Sequence, residues 1–214
     1  MLLLLARHGN TFDKGDKVVW VGARTDLPLT AKGREQAQVL GEALAPFVPQ
    51  IKRIIAGPLL RTREQADIAA DKAGMKVSVE IDQRLREIDY GLWEAKSSGE
   101  IEALGGGAEL DAWNKAGEWP RQPGWTPAPE AIAANVAELA RECATGLGED
   151  DAALLVTSNG ILKFFLKLVP GAFEDMAARG ALKVATGHCC ALRHGPRGWE
   201  VLFWDRAPQE IALE

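Results

Sequence analysis

The stretch Leu2-Leu3-Leu4-Leu5-Ala6-Arg7-His8-Gly9-Asn10-Thr11 decides how the chain is read. Five consecutive apolar residues form a short continuous run, the pattern of a strand buried on both faces. The run is too short for a membrane span or a signal peptide, and Arg7 ends it. What leaves the strand is a cation, an imidazole and a glycine in succession. A titratable ring between a fixed positive charge and a permissive backbone suits chemistry on an anion.

Reading outward, a loop runs through Asp26. Leu27-Pro28-Leu29-Thr30 then leads into a helix over 31–45, with Thr30 as its N-cap. Its apolar positions Ala37, Leu40, Ala43/Leu44 and Phe47 recur at helical spacing. Residues 52–56 read as a second strand, stopped by Gly57-Pro58, and a helix follows over about 59–73. A third strand is expected at 76–80. Residues 88–128 hold Trp93, Trp113, Trp119 and Trp125, a Gly105-Gly106-Gly107 run and several prolines. They read as a lid or specificity excursion with short helices, set on a rigid scaffold. A helix over 129–146, a buried strand at 152–156, a turn at Thr157-Ser158-Asn159-Gly160 and a helix to Val169 follow. Strands are expected near 181–186, 189–193 and 199–204. This alternation predicts an α/β fold, a three-layer α/β/α sandwich with a mainly parallel central sheet, as one domain over 1–214.

The 214 residues carry a formal charge of -5, and no basic stripe marks a nucleic-acid footprint. An anionic ligand therefore requires a local cationic pocket. Cys143, Cys189 and Cys190 form no disulfide framework, and adjacent Cys189 and Cys190 point to opposite faces of a strand. No cysteine or histidine spacing matches a metal site. The expectation is a soluble cytoplasmic protein, without metal or cofactor and without nucleic-acid or membrane partners.

In such folds ligands bind beyond the carboxyl ends of the strands. Three segments reach that edge: Arg7-His8-Gly9; Gly57-Pro58-Leu59-Leu60-Arg61; and Ser158-Asn159-Gly160. The last two open helices, whose first-turn N–H groups suit phosphate. Two arginines grip phosphate oxygens through forked hydrogen bonds.

Together these segments resemble the histidine phosphatase superfamily, the phosphoglycerate mutase-like proteins. Arg7-His8-Gly9-Asn10-Thr11 resembles its RHG motif. Asp26 to Gly33, Gly57 to Ala66 and Leu85-Arg86-Glu87-Ile88-Asp89-Tyr90-Gly91-Leu92-Trp93-Glu94 resemble further family segments, in family order across residues 1 to about 165. The resemblance implies a phosphomonoester hydrolase. His8 becomes phosphohistidine, Arg7 and Arg61 bind the phosphoryl oxygens, and Glu87 passes a proton to the leaving oxygen. It also implies a substrate side formed by Asn10, Asp13, Lys14, Gly22 and Tyr90. A small phosphorylated substrate and inorganic phosphate are the expected partners, and a homodimer is an open option. Trp93 reads as core, Arg63 as a solvated helix residue and His194 as exposed.

Asn159 departs from the resemblance, because the family has a histidine there. An amide keeps a hydrogen-bond donor and loses the charge. Three readings follow. Asn159 and Gly160 still contact phosphate; or His188, opening a C-terminal strand, fills the gap; or the chain is a catalytically weak phospho-ligand binder. Retention of His8, Arg7, Arg61 and Glu87 argues against the binder. A phosphoglycerate mutase is the remaining alternative. Mutases of the family carry an arginine pair in the excursion, and 95–128 holds only Lys96, Lys115 and Arg121, which favours hydrolysis.

Overall fold

The computed structural model describes residues 1–121 and 124–211. Positions 122 and 123 of the excursion and the last three residues of the domain read over 1–214 lie outside the described residues.

Strand β1 (Leu2–Arg7) lies at the centre of the sheet. It pairs in parallel with β4 (Ala152–Thr157) and antiparallel with β5 (Cys189–Gly195). With β2 (Ile51–Ala56), β3 (Val79–Ile81) and β6 (Gly198–Arg206), the order is β3-β2-β4-β1-β5-β6. β5 runs against the other strands, so the sheet is mixed around a parallel core.

The unbroken apolar runs are explained by a core on each face. Leu3 and Leu5 of β1, Ala153 and Leu155 of β4, and Cys190 and Leu192 of β5 pack into one. Leu4 and Ala6, Leu154 and Val156, and Cys189 and Ala191 pack into the other. The two adjacent cysteines fall on opposite faces, as strand alternation requires. Each fully buried leucine contributes roughly 1.5–3 kcal/mol.

Helices α1 (Ala31–Leu44) and α2 (Leu60–Ala73) cover the second face. Thr30 caps α1, its hydroxyl oxygen accepting from Gly33 N–H at 3.1 Å. Toward its C-terminus α2 packs through alanines, whereas its first turns bury Arg61, Thr62 and Gln65 near the site. The other face carries the short helices α3 (Ser98–Ala103) and α4 (Gly107–Ala116) and the long α5 (Pro129–Gly146). The excursion joins this core through Tyr90, Trp93, Ile101, Leu110, Trp113 and Trp125. Trp125 sits among Tyr90, Trp93, Trp113 and Trp119 at ring-centroid distances of 4.7–5.2 Å. These tryptophans chiefly pack the excursion.

Several expected elements differ. The strand expected at 76–80 shortens to β3 at the sheet edge. The helix after Asn159 is four α-helical residues, α6 (Asn159–Leu162), continued as a 3-10 helix over Lys163–Leu168. A further helix, α7 (Ala172–Ala178), was not anticipated. The strand expected at 181–186 does not form. Its apolar residues Leu182 and Val184 are buried, but several of its backbone groups bond side chains instead of a neighbouring strand. Val184 N–H donates to Asn159 Oδ1 at 2.9 Å, Ala185 N–H to Asp205 Oδ1 at 2.7 Å, and Gln36 Nε2 to the Thr186 carbonyl at 2.9 Å. Alternation reports burial, and a buried backbone can be satisfied in other ways. No helix among the described residues is long and apolar enough to cross a membrane.

Candidate active site

Arg7 of β1 is in register with Thr157 of β4, so His8 and the Ser158-Asn159 turn leave the sheet side by side. His8 N–H donates to the Thr157 carbonyl at 3.1 Å. The chain then turns against the start of α1. A Cβ on residue 9 would lie 2.6 Å from the Gly33 carbonyl oxygen, so only glycine fits this approach. Gly9 N–H donates to Gln65 Oε1 at 3.0 Å, which ties the turn to α2.

His8 is buried, with Nδ1 2.8 Å from the Gly9 carbonyl oxygen. A carbonyl only accepts, so Nδ1 carries the proton and Nε2 the lone pair. Burial, then the charges of Arg61 and Arg7, push its pKa well below 6.5, while the Gly9 bond acts the other way. The ring is therefore neutral at physiological pH, the state in which it can attack phosphorus.

Glu87 is buried rather than paired with Arg84 or Arg86 at the surface. Its Oε1 accepts from Ile88 N–H at 2.8 Å and its Oε2 from Gly160 N–H at 3.0 Å. Residue 160 must be glycine, because a Cβ there would run into the Glu87 carboxylate. The first-turn N–H of Gly160, expected to meet phosphate, is thus committed to Glu87. Tyr90 is buried, and its hydroxyl also bonds Glu87. Burial, followed by the charge of Glu87, pushes the Tyr90 pKa well above 10.0 and keeps the phenol protonated.

Arg7 and Arg61 converge from β1 and α2. Arg7 Nη1 donates to the Val184 carbonyl at 2.5 Å. Arg61 is fully buried and holds the first loop through the carbonyls of Thr25 at 2.8 Å and Gly22 at 3.1 Å. In both guanidiniums Nε is buried with no protein partner. Both lose some proton affinity to burial, offset by the nearby Glu87 carboxylate.

Asn159 faces Val184 N–H with its oxygen, because an N–H can only donate. Its amide NH2 is thereby turned away from Val184. Asn10 accepts from the Thr186 hydroxyl at 2.5 Å.

A cleft of about 840 Å³ opens over these groups, lined by Arg7, His8, Asn10, Glu87, Tyr90 and Asn159 among others. A second hollow of about 1000 Å³ lies by Met1 and Leu2, at the other end of β1 from His8. Four expected residues do not line the cleft over His8. Gly22 is packed behind the loop, its N–H donating to Glu94 Oε1 at 3.1 Å. Gly160 is spent on Glu87. His188 turns to Asp205, with Nδ1 2.9 Å from Oδ1. Arg61 also stands behind the open wall, within electrostatic reach of His8.

The cleft contains a cation that sequence reading missed. Lys163 lies four residues after Asn159 and lines the same wall. Four-residue spacing on one helix face was the available signal. Lys14, Lys183 and Thr186 also line the cleft. Glu94 organises the first loop, accepting from Thr25 Oγ1 at 2.7 Å.

Residues 3–206 match the family described as the histidine phosphatase superfamily, branch 1. The chain is 35% identical over 118 residues to a glucosyl-3-phosphoglycerate phosphatase of Mycolicibacterium vanbaalenii, covering 55% of this chain and 49% of the relative. It is 37% identical over 117 residues to a protein of Erwinia tasmaniensis named "Probable phosphoglycerate mutase GpmB", covering 52% and 47%. The matches span about half the length of these curated relatives. The fold superposes on a solved structure described as mycobacterial hydrolase 1 with a TM-score of 0.79 and 25% identity, covering 96% of this chain and 98% of that one.

Proposed function

The chain belongs to the histidine phosphatase superfamily, and from that premise we propose that it hydrolyses small phosphomonoesters through a phosphohistidine on His8. One observation carries the reading: a buried imidazole with Nδ1 bonded to the Gly9 carbonyl, beside two arginines and a buried carboxyl. Nε2 of His8 attacks phosphorus and the P–O ester bond breaks. The electron pair leaves on the substrate oxygen, which takes a proton from Glu87. Water then attacks the phosphohistidine and gives a proton to Glu87. The P–N bond breaks, inorganic phosphate leaves and neutral His8 is restored.

Arg7 and Arg61 stabilise the charge on the transferring group, each retaining a buried Nε–H without a protein partner. Asn159 donates from its amide NH2, and Asn10 and Tyr90 shape the substrate side. The reading invokes no metal, since the arginines supply the charge a metal would otherwise provide.

The test is hydrolysis of an aryl phosphate without added metal, by wild type and His8→Ala, with trapping of an acid-labile, base-stable phosphoprotein. Turnover and phosphoprotein are expected in wild type and absent in the variant. Turnover that survives His8→Ala overturns the mechanism. Phosphate binding by wild type without turnover replaces the hydrolase with a phospho-ligand binder.

A further inference from the structure

Ile161-Leu162-Lys163-Phe164-Phe165 places a lysine inside an apolar run, and every residue of it is buried. A lysine so enclosed is rare unless paired. Here Lys163 is 2% exposed, and its Nζ lies 3.6 Å from the centroid of the Trp113 ring. Among the described residues Nζ has no hydrogen-bond acceptor and no ion-pair partner. A cation–π contact alone does not replace the hydration of an ammonium. A leucine or methionine would fill this position more cheaply, so the charge serves the cleft rather than the core.

The location indicates what the charge meets. Lys163 and Asn159 stand one turn apart on the wall they share with Arg7, His8 and Glu87. Burial brings the Lys163 pKa down to about 7, with Glu87 favouring the charged form and Arg7 opposing it. An entering dianion supplies the acceptor that the ammonium lacks. Asn159 offers only a neutral amide NH2, and His188 is held by Asp205.

We propose that Lys163 is a catalytic residue whose ammonium contacts an oxygen of the transferring phosphoryl group, adding a positive charge to a wall where Asn159 has none. This rests on the reading of His8 as phosphoryl acceptor. Trp113 holds the ammonium on this wall and ties the excursion to the phosphoryl subsite.

The test measures binding of orthovanadate, a phosphoryl mimic, by wild type, Lys163→Met and Lys163→Arg, alongside kcat/KM for an aryl phosphate. Lys163→Met is expected to lose about 10²-fold in kcat/KM and at least about 10-fold in vanadate affinity. Lys163→Arg should recover most of both. Thermal stability of Lys163→Met should equal or exceed wild type, because removing an unpaired buried charge does not weaken the core. A structural role predicts the opposite. Asn159→His added to Lys163→Met should restore part of the lost affinity by returning a donor of positive charge to the same wall. Vanadate affinity unchanged in Lys163→Met overturns the proposal, even if activity falls, because the ammonium would then serve the leaving group. If wild type binds vanadate but forms no phosphohistidine, the hydrolase reading fails while the vanadate comparison still decides the role of Lys163.

Discussion

Gly160→Ala tests how Glu87 is held. The new Cβ would collide with the Glu87 carboxylate and lie 2.8 Å from the Tyr90 hydroxyl and 2.9 Å from Ile88 Cδ1. Glu87, Ile88 and Tyr90 are 5%, 0% and 6% exposed, so none has free space to yield into. The carboxylate must move by several tenths of an ångström and lose the 3.0 Å bond from Gly160 N–H. Overpacking of a filled site costs about 1–3 kcal/mol, and misplacement of a reacting group by about 1 Å lowers rates about 10²-fold. The assay is kcat/KM, which reports only the steps through phosphorylation of His8. It should be measured with an aryl phosphate, whose leaving group needs little protonation, and an alkyl phosphate, which needs much. The loss should be about 10²-fold for the alkyl ester and clearly smaller for the aryl ester. Gly99→Ala in α3 is the control, since a Cβ there meets nothing within 4 Å. A folded Gly160→Ala with kcat/KM within about threefold of wild type on both esters, or with equal losses on both, would refute Glu87 as the proton donor.

Three further outcomes follow from the same geometry. Asn159→Asp keeps an acceptor for Val184 N–H, so its melting temperature should stay close to wild type, while its added negative charge beside the phosphoryl group lowers kcat/KM by about 10²-fold or more. Unchanged activity would place Asn159 outside the phosphoryl subsite. His8 in the folded protein takes up a proton only well below 6.5, whereas the unfolded chain does so near that value; the unfolded state therefore binds more protons between the two. Stability should fall as pH drops below about 6.5, by up to about 1.4 kcal/mol per pH unit, and His8→Asn should remove that component from denaturation curves. The acidic limb of kcat/KM should likewise lie below 6.5. Trp125→Ala removes the ring that joins the aromatic cluster of the excursion and should destabilise by about 3–5 kcal/mol in chemical denaturation; a loss below about 1 kcal/mol would show that the cluster repacks.

The legible parts of the fold and site are those in which one residue type answers one physical demand. The Leu2–Ala6 run specified a strand buried on both faces. The ends of β1 and β4 could then carry His8 and Asn159 to one edge. Glu87 was legible as a candidate, but not its means of support: a bond from Gly160 N–H crosses 73 positions of sequence and belongs to the fold. The segment 181–186 misled because a buried extended backbone and a strand share one apolar alternation. What distinguishes them is the partner, and here the partners are Asn159, Asp205, Arg7 and Gln36. His188 fits the gap by its place at the start of a strand, but its ring turns to Asp205 and lies outside the cleft over His8. Lys163 escaped notice because a lysine within an apolar helix reads as an exposed residue whose stem lies along the surface. Only the enclosure of the residue and the contact of its Nζ with the Trp113 ring reveal otherwise.

The placement of cations also bears on hydrolysis against mutase chemistry. A mutase has to hold a second phosphoryl group and keep water from the phosphohistidine. The excursion contributes Tyr90, Ser98, Trp113 and Asn114 to the cleft, none of them a cation. Its Lys115 faces solvent, paired with Asp111 at 2.9 Å. The remaining cleft cations, Lys14 and Lys183, come from the first loop and from the 181–186 segment, not from the excursion. Lys163 is enclosed near Arg7 and Glu87, on the wall proposed to hold the first phosphoryl group. Two separate lysines can attract an anionic leaving group, but they lack the forked donors that clamp a second phosphoryl group in a defined orientation. Under the proposed mechanism, a substrate held firmly at one end and loosely at the other departs after its phosphoryl group has moved to His8, leaving water as the next nucleophile. The arrangement therefore favours hydrolysis.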